Sequence, residues 1–176
     1  MDAKYFKFSI GGSGYSTQYD AVYNAMTNKP DATNAGYQDT LVTALVDGGY
    51  WARMDAFWCF AQENNDDSEA LINWINPGTT DADNPTGTSW TTLEGYTGNG
   101  TDDYISTNWI SDTHGSNYVL DSATFGIYVR NNLQSDEELV NAGSGHIRFQ
   151  PRRTNDTKSG RVKILGKPNC FIRLYD

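Results

Sequence analysis

Apolar positions change period near residue 50. Before it they recur at helical spacing. In "STQYDAVYNAMTNKP", residues 16–30, Tyr19, Val22, Tyr23 and Met26 fall three or four apart, and Lys29-Pro30 ends the pattern. In "TNAGYQDTLVTALVDGG", residues 33–49, Tyr37, Leu41, Ala44 and Leu45 share one face. Thr33 or Asn34 can cap the start, and Gly48-Gly49 supplies a stop. A short alternating strand, "AKYFKFSI", precedes both helices and ends at "GGSG".

From residue 51 the period falls toward two. "RMDAFWCFAQ", residues 53–62, sets Met54, Ala56, Trp58 and Phe60 against Arg53, Asp55, Phe57 and Cys59, a strand buried on both faces near Trp58. "ENNDDSE" reads as a solvated turn, "ALINWINP" as a strand closed by Pro77, and "GTTDADNPTGTS" as a loop. Short β-prone runs follow: "WTTLEGYTG", "DDYISTNWI", "YVLDSATFGIYVRNN", "HIRFQPRR", "GRVKILGK" and "CFIRLYD". Gly, Asn and Asp clusters separate them at fairly even spacing, which is the pattern of a sandwich or barrel. The expected architecture is mainly β, with residues 1–50 a strand and two-helix segment suited to a docking arm, and residues 51–176 a β-sandwich domain.

Composition supports this reading. Aromatic residues make up 13% of the 176 and charged residues only 20%, too few of the latter for a helical bundle. The net charge of −9 argues against nucleic acid as a partner. That charge is unevenly spread. Residues 1–145 hold five Lys or Arg against twenty Asp or Glu, whereas residues 146–176 hold eight against two. The basic tail, with Arg148, Arg152, Arg153, Arg161, Lys163 and Lys167, is a candidate partner interface; its bland reading is a strand edge guarded by cations. Cys59 and Cys170 read as ordinary buried thiols rather than a disulfide framework. "MDAKYFKFSI" lacks the apolar run of a secretory leader, and no stretch is long enough to span a bilayer, so no membrane partner and synthesis in the cytoplasm are expected. Without a leader, the glycosylation sequons at Asn99 and Asn155 carry no meaning.

The candidate chemistry centres on residues 90–109, "WTTLEGYTGNGTDDYISTNW". Asn99-Gly100 predicts a tight hairpin turn between two paired strands. Calcium is disfavoured. Asp81, Asp83 and Asn84 are interrupted by Pro85 and lack the distal Glu of a calcium loop, and Asp102 and Asp103 point to opposite faces of a regular strand. Glycoside hydrolysis needs two acids facing one groove. The close acid runs here lie in turn-like segments, and His114 and His146 stand apart from any nucleophile. No catalytic residue, metal or cofactor is therefore assigned. Trp90, Tyr96, Tyr104 and Trp109 could stack on sugar rings beside Asn and Asp acceptors, a candidate glycan patch. The competing reading is that they fill the core.

The ordered set "LVTALVDGGYWARMDAFWCFA", then "INWINPGTTDADNPTGTSWTTLEGYTGNGTDDYISTNW", then "FGIYVRNN" resembles a family of bacteriophage and prophage structural proteins, over roughly residues 37–132. The resemblance implies a concanavalin A-like, or laminin G-like, two-sheet jelly roll in a capsid, tail or fibre protein. It implies assembly with other virion proteins rather than catalysis. The glucanases of that fold carry Glu-x-Asp-x-x-Glu on one strand, a string missing from this sequence. Relatives continue beyond the point where this chain stops, at "CFIRLYD". The sandwich is then either reduced or completed by something else, and a homo-oligomer or docking on another chain is expected. The alternative function is a carbohydrate-binding module for host-surface glycans.

Overall fold

The computed structural model describes residues 14–119 and 123–130, together with the backbone of 140–142, 147–150, 161–164 and 169–173. Helix α1 spans Thr17–Ala25 and α2 spans Ala32–Asp47. Single 3₁₀ turns follow at Trp51–Arg53 and Glu69–Leu71. Strands β1 (Ser89–Thr91) and β2 (Gly95–Thr97) form an antiparallel ribbon, and β3 (Tyr104–Ile110) leads into the short helix α3 (Ser111–His114). Strands β4 (Val140–Ala142), β5 (Ile147–Gln150), β6 (Arg161–Ile164) and β7 (Asn169–Arg173) join β3 in one antiparallel sheet of order β3-β7-β4-β5-β6.

This is not the mainly-β jelly roll that the sequence and the family resemblance led us to expect. Where side chains are described, 31% of residues are helical and 15% lie in strands or bridges. A jelly roll buries its core between two sheets. Here α1 and α2 supply part of the core instead. Tyr19 and Val22 of α1, Met26, Ala35 and Val42 of α2 form a cluster with Ile72 and Trp74. The segments on either side of the residue-50 boundary thus contribute to one core.

Both N-terminal helices form where the periodicity puts them, for identifiable local reasons. The Ser16 hydroxyl accepts from the Tyr19 N–H at the start of α1. At the other end the Lys29 ammonium bonds to the carbonyls of Tyr23 and Met26 and lies 5.0 Å over the Tyr23 ring, a cation where the helix dipole favours one. The N-cap of α2 is Asp31, not Thr33 or Asn34; its carboxylate accepts from the Asn34 N–H at 2.7 Å. The helix closes at Gly48-Gly49 with a Schellman motif. Gly49 N–H donates to Val46 O, Tyr50 N–H donates to Leu45 O, and Gly49 takes φ +70°.

The buried face of α2 differs from the expected one. Ala35 and Val42 are buried, while Tyr37 is 71% and Leu41 is 41% exposed. The inward stripe also holds polar groups that find partners. Tyr19 Oη donates to Gln38 Oε1 (2.6 Å), Gln38 Nε2 donates to Gln62 Oε1 (2.8 Å), and Gln62 Nε2 donates to Cys59 O (3.0 Å). Asp39 accepts from Ser16 N–H, tying α2 to the start of α1. A satisfied polar chain costs little to bury, so it competes with a purely apolar face.

Residues 56–60 keep the expected alternation without becoming a ladder strand. Their main chain makes one bridge, Trp58 to Asn73. Phe57 and Cys59 pack on the helix-side cluster, while Ala56, Trp58 and Phe60 pack on a second cluster of Leu71, Ala82, Ile105 and Trp109. Residues 71–74 divide in the same way, Leu71 to one side and Ile72 and Trp74 to the other. Residues 123–130 belong to no helix or strand, with Phe125, Ile127 and Val129 against the second cluster. The strand expected at residues 3–10 lies outside the described residues.

Candidate functional site

The hairpin is one connection earlier than Asn99-Gly100 suggested. It joins β1 to β2 through Thr92, Leu93 and Glu94, pairing Trp90 with Tyr96. Leu93 takes φ +60°, with its N–H donating to Gln62 O at 2.7 Å and Glu94 N–H donating to Thr91 O at 3.0 Å. Positive φ on a branched residue is costly, so the contact with Gln62 helps impose the turn. Asn99-Gly100 instead lies in the loop from β2 to β3, which do not pair with each other. Only Gly100 of the two has positive φ, so the mirror-image turn that needs it at both positions does not form.

The candidate glycan residues are spread over different surroundings. Trp109 is 8% exposed, sits in the second cluster, and meets Tyr118 edge-on at 5.4 Å. Tyr96 is half-buried; its ring stands edge-on to Phe60 at 5.8 Å and its hydroxyl accepts from Asn65 Nδ2. Burial raises the Tyr96 phenol above its ordinary range, partly offset by that hydrogen bond. Trp90 is half-buried and spends its indole N–H on Phe60 O at 2.9 Å. Tyr104, also half-buried, opens β3 opposite Arg173. Trp90 and Tyr96 are neighbours across the ribbon, while Trp109 is a core residue.

The Asn- and Asp-rich stretch 73–83 is an internal scaffold. Asn73, 1% exposed, is its hub. Its Oδ1 accepts from Phe57 N–H and Ile75 N–H, both at 3.2 Å, and its Nδ2 donates to Thr79 O (3.2 Å) and Thr80 Oγ1 (2.9 Å). Asp81 Oδ1 accepts from Asn73 N–H (2.8 Å), and Asp83 Oδ2 accepts from Asn108 Nδ2 (2.7 Å). Asn108 sits at φ +54° where the β3–β7 register shifts. Among the described residues, no group of three His, Cys, Asp or Glu is placed to hold a metal. His114 Nδ1 accepts from Ile110 N–H, which closes a local turn.

Asp55 is a second hub, one that periodicity could not flag. Its carboxylate accepts from the N–H groups of Ser116, Asn117 and Tyr118, from the Ser116 hydroxyl and from Asn117 Nδ2. Burial alone would push this carboxyl up, but the hydrogen bonds outweigh it and hold it below the usual range. Glu69 behaves alike: burial raises it, and donors on Asn28 and Asp67 bring it lower. Burial raises the Cys59 thiol.

Beside Asp55 lies a cleft of about 1020 Å³. Trp58, Trp109, Tyr118 and Phe125 line it, with Tyr50 and Tyr128 on the same lining and 59% and 89% exposed. Arg53, Asp55 and Asn117 add polar groups. The sequence reading singled out Trp109 alone of these residues for binding; the others come from segments that only tertiary structure brings together. The indole nitrogens of Trp58 and Trp109 are closed to solvent and make no hydrogen bond among the described residues.

Of the basic tail, Arg148 in β5 is the register partner of Lys163 in β6, and Arg161 stands opposite Gln150. Arg152, Arg153 and Lys167 lie outside the described residues. Among the described residues, no helix is long and apolar enough to cross a membrane. Comparison of the chain with known protein families, with characterised proteins and with solved structures gives no match.

Proposed function

We propose that this chain is a structural component of a tailed-phage virion, a capsid decoration, head fibre or tail-associated protein that acts by protein–protein assembly. The observation that carries the reading is the ordered set of motifs across residues 37–132. Surface chemistry also supports assembly. Tyr37, Leu41 and Tyr50 stand 71%, 41% and 59% exposed on and just after α2, and tyrosine is a residue type enriched where protein partners dock. Under this reading the protein is not an enzyme, and its place is the virion, assembled from chains made in the host cytoplasm. The test is peptide mass spectrometry with copy number on density-banded particles. Tens to hundreds of copies per particle is the expected result, and particles free of this chain would end the reading.

A second reading, a module that binds host-surface glycans, is favoured by the aromatic cavity. Aromatic walls beside a few polar groups suit a sugar, whose faces are apolar and whose edges carry hydroxyls. Its ligand residues are then Tyr50, Trp58 and Tyr128, in place of the patch of Trp90, Tyr96, Tyr104 and Trp109. Saturation-transfer NMR with a panel of neutral oligosaccharides tests it. Transfer that Tyr128→Ala abolishes supports the reading; its absence across the panel counts against it.

A further inference from the structure

The loop at residues 98–103 is organised around one side chain. Asn99 Oδ1 accepts from three main-chain N–H groups: Thr101 (2.8 Å), Asp102 (3.1 Å) and Asp103 (3.4 Å). Asn99 Nδ2 donates to Asp102 Oδ1 (2.9 Å), and Asn99 N–H donates to Asp103 Oδ2 (3.1 Å). Residue 100 is a glycine at φ +74°, and the space its side chain would fill is empty to 4 Å. Both residues are exposed. Asn99 is also the one asparagine of the sequence that is followed by glycine.

Three N–H groups converging on one carbonyl oxygen are the arrangement that stabilises an oxygen gaining negative charge. The carbon beneath that oxygen is Asn99 Cγ, and the adjoining main-chain nitrogen, on Gly100, has no neighbouring Cβ to hinder its approach. We propose that Asn99 is a self-modification site. The Gly100 nitrogen attacks Asn99 Cγ, a new C–N bond closes a five-membered succinimide, and the Cγ–Nδ2 bond breaks. The departing nitrogen takes the Gly100 proton and leaves as ammonia. Water is the only co-reactant. It adds to either ring carbonyl and opens the ring to aspartate or isoaspartate.

The product cannot keep the loop as it is. A carboxylate replaces the Nδ2 donor that faced Asp102 Oδ1 at 2.9 Å, and two carboxylates at that distance repel. The isoaspartate form also adds a methylene to the main chain between β2 and β3. The change runs one way, so the modified fraction rises with the age of the protein.

The experiment incubates the full chain in mildly alkaline buffer, folded and in urea. Asn99 is followed by the mass of its peptide and by enzymatic isoaspartate labelling. The expected result is conversion at Asn99 ahead of every other asparagine, at least as fast in the folded chain as in the unfolded one. Asn99→Gln, whose ring would have six members, stops it. Thr101→Pro removes the shortest of the three donors. It slows the folded chain by about ten-fold, short of the larger effect of a donor in an enzyme's buried oxyanion hole because this loop is wet, and leaves the unfolded rate unchanged. Circular dichroism checks that this variant folds. If the folded chain stays intact while the unfolded chain converts, the hydrogen bonds lock the amide and the proposal is overturned. Equal rates for Thr101→Pro and the parent would remove the role given to the three N–H groups.

Discussion

Asn73→Ala is the substitution that most directly tests the account of this fold. Asn73 is buried, and its side chain serves Phe57 N–H, Ile75 N–H, Thr79 O and Thr80 Oγ1. Alanine fits the space but strands three main-chain groups. A buried polar group left without a partner costs about 1–3 kcal/mol. Three of these contacts are long, at 3.2 Å, which places each near the lower bound. The expected loss is therefore about 3 kcal/mol, or a fall in Tm of roughly 6–12 °C for a chain of this size. Urea unfolding followed by tryptophan fluorescence reads it as a lower midpoint at unchanged slope. Asn73→Asp sharpens the test. It retains an acceptor for Phe57 and Ile75 but turns an oxygen toward Thr79 O and buries a charge, so it should be at least as unstable as the alanine variant near neutral pH. It should recover part of the loss when acid restores a donor. A loss below about 1 kcal/mol for alanine, less than a single stranded group costs, would refute the hub, as would a parent-like aspartate variant.

Three other outcomes follow from the same structure. Asp55 is held below the usual carboxyl range, so its contribution to stability is present above about pH 4, the ordinary aspartate value, and is lost as pH falls through its lower folded value. Asp55→Asn should flatten stability against pH across that acid window, and an unchanged profile would show that the carboxylate does not anchor residues 116–118. Gly49→Ala should destabilise by about 1–2 kcal/mol, because φ is +70° there with no neighbour to clash, whereas Gly36→Ala inside α2 should stabilise by up to about 1 kcal/mol; thermal unfolding that gave both changes the same sign would contradict the capping geometry. Burial raises the Cys59 thiol, so an alkylating reagent should label Cys59 slowly until the chain unfolds, as peptide-resolved mass spectrometry would show.

What the sequence disclosed follows from how local each cause is. The helices were legible because a period, a stop and a cation at a helix end act within a few residues, as at Lys29 and Gly48-Gly49. The alternation of residues 56–60 was legible too, and it correctly sent neighbours to opposite sides. What covers each side is not a local property. Periodicity cannot tell a second sheet from a pair of helices, which is where the jelly-roll expectation failed. It also chose the more apolar stripe of α2, with Tyr37 and Leu41, over the one whose Gln38 and Asp39 had partners waiting on α1 and at Gln62. Turn chemistry placed a hairpin at Asn99-Gly100, whereas Leu93 is held at positive φ with its N–H on Gln62 O, a residue about thirty positions away. The Asp55 hub and the cavity beside it join residues near 55 to residues near 117 and 125, so no short window contains them. The part of the tail between its strands lies outside the described residues, and Arg148, Arg161 and Lys163 are placed by strand register alone.

The partition of residues 56–60 has a consequence for how this chain can change over generations. Those five residues form a wall one strand thick, with alternate side chains committed to different clusters. Substitutions of similar size can accumulate on either side independently. Loss or gain of a single codon here would exchange the destination of every later side chain in the wall, sending Trp58 toward the helices and Phe57 toward Trp109, and would spoil both interiors at once. The loop at 99–102, exposed throughout, bears no such phase. Length variation among related chains should therefore collect at that loop and be purged from 56–60, even where the identities of the five residues drift.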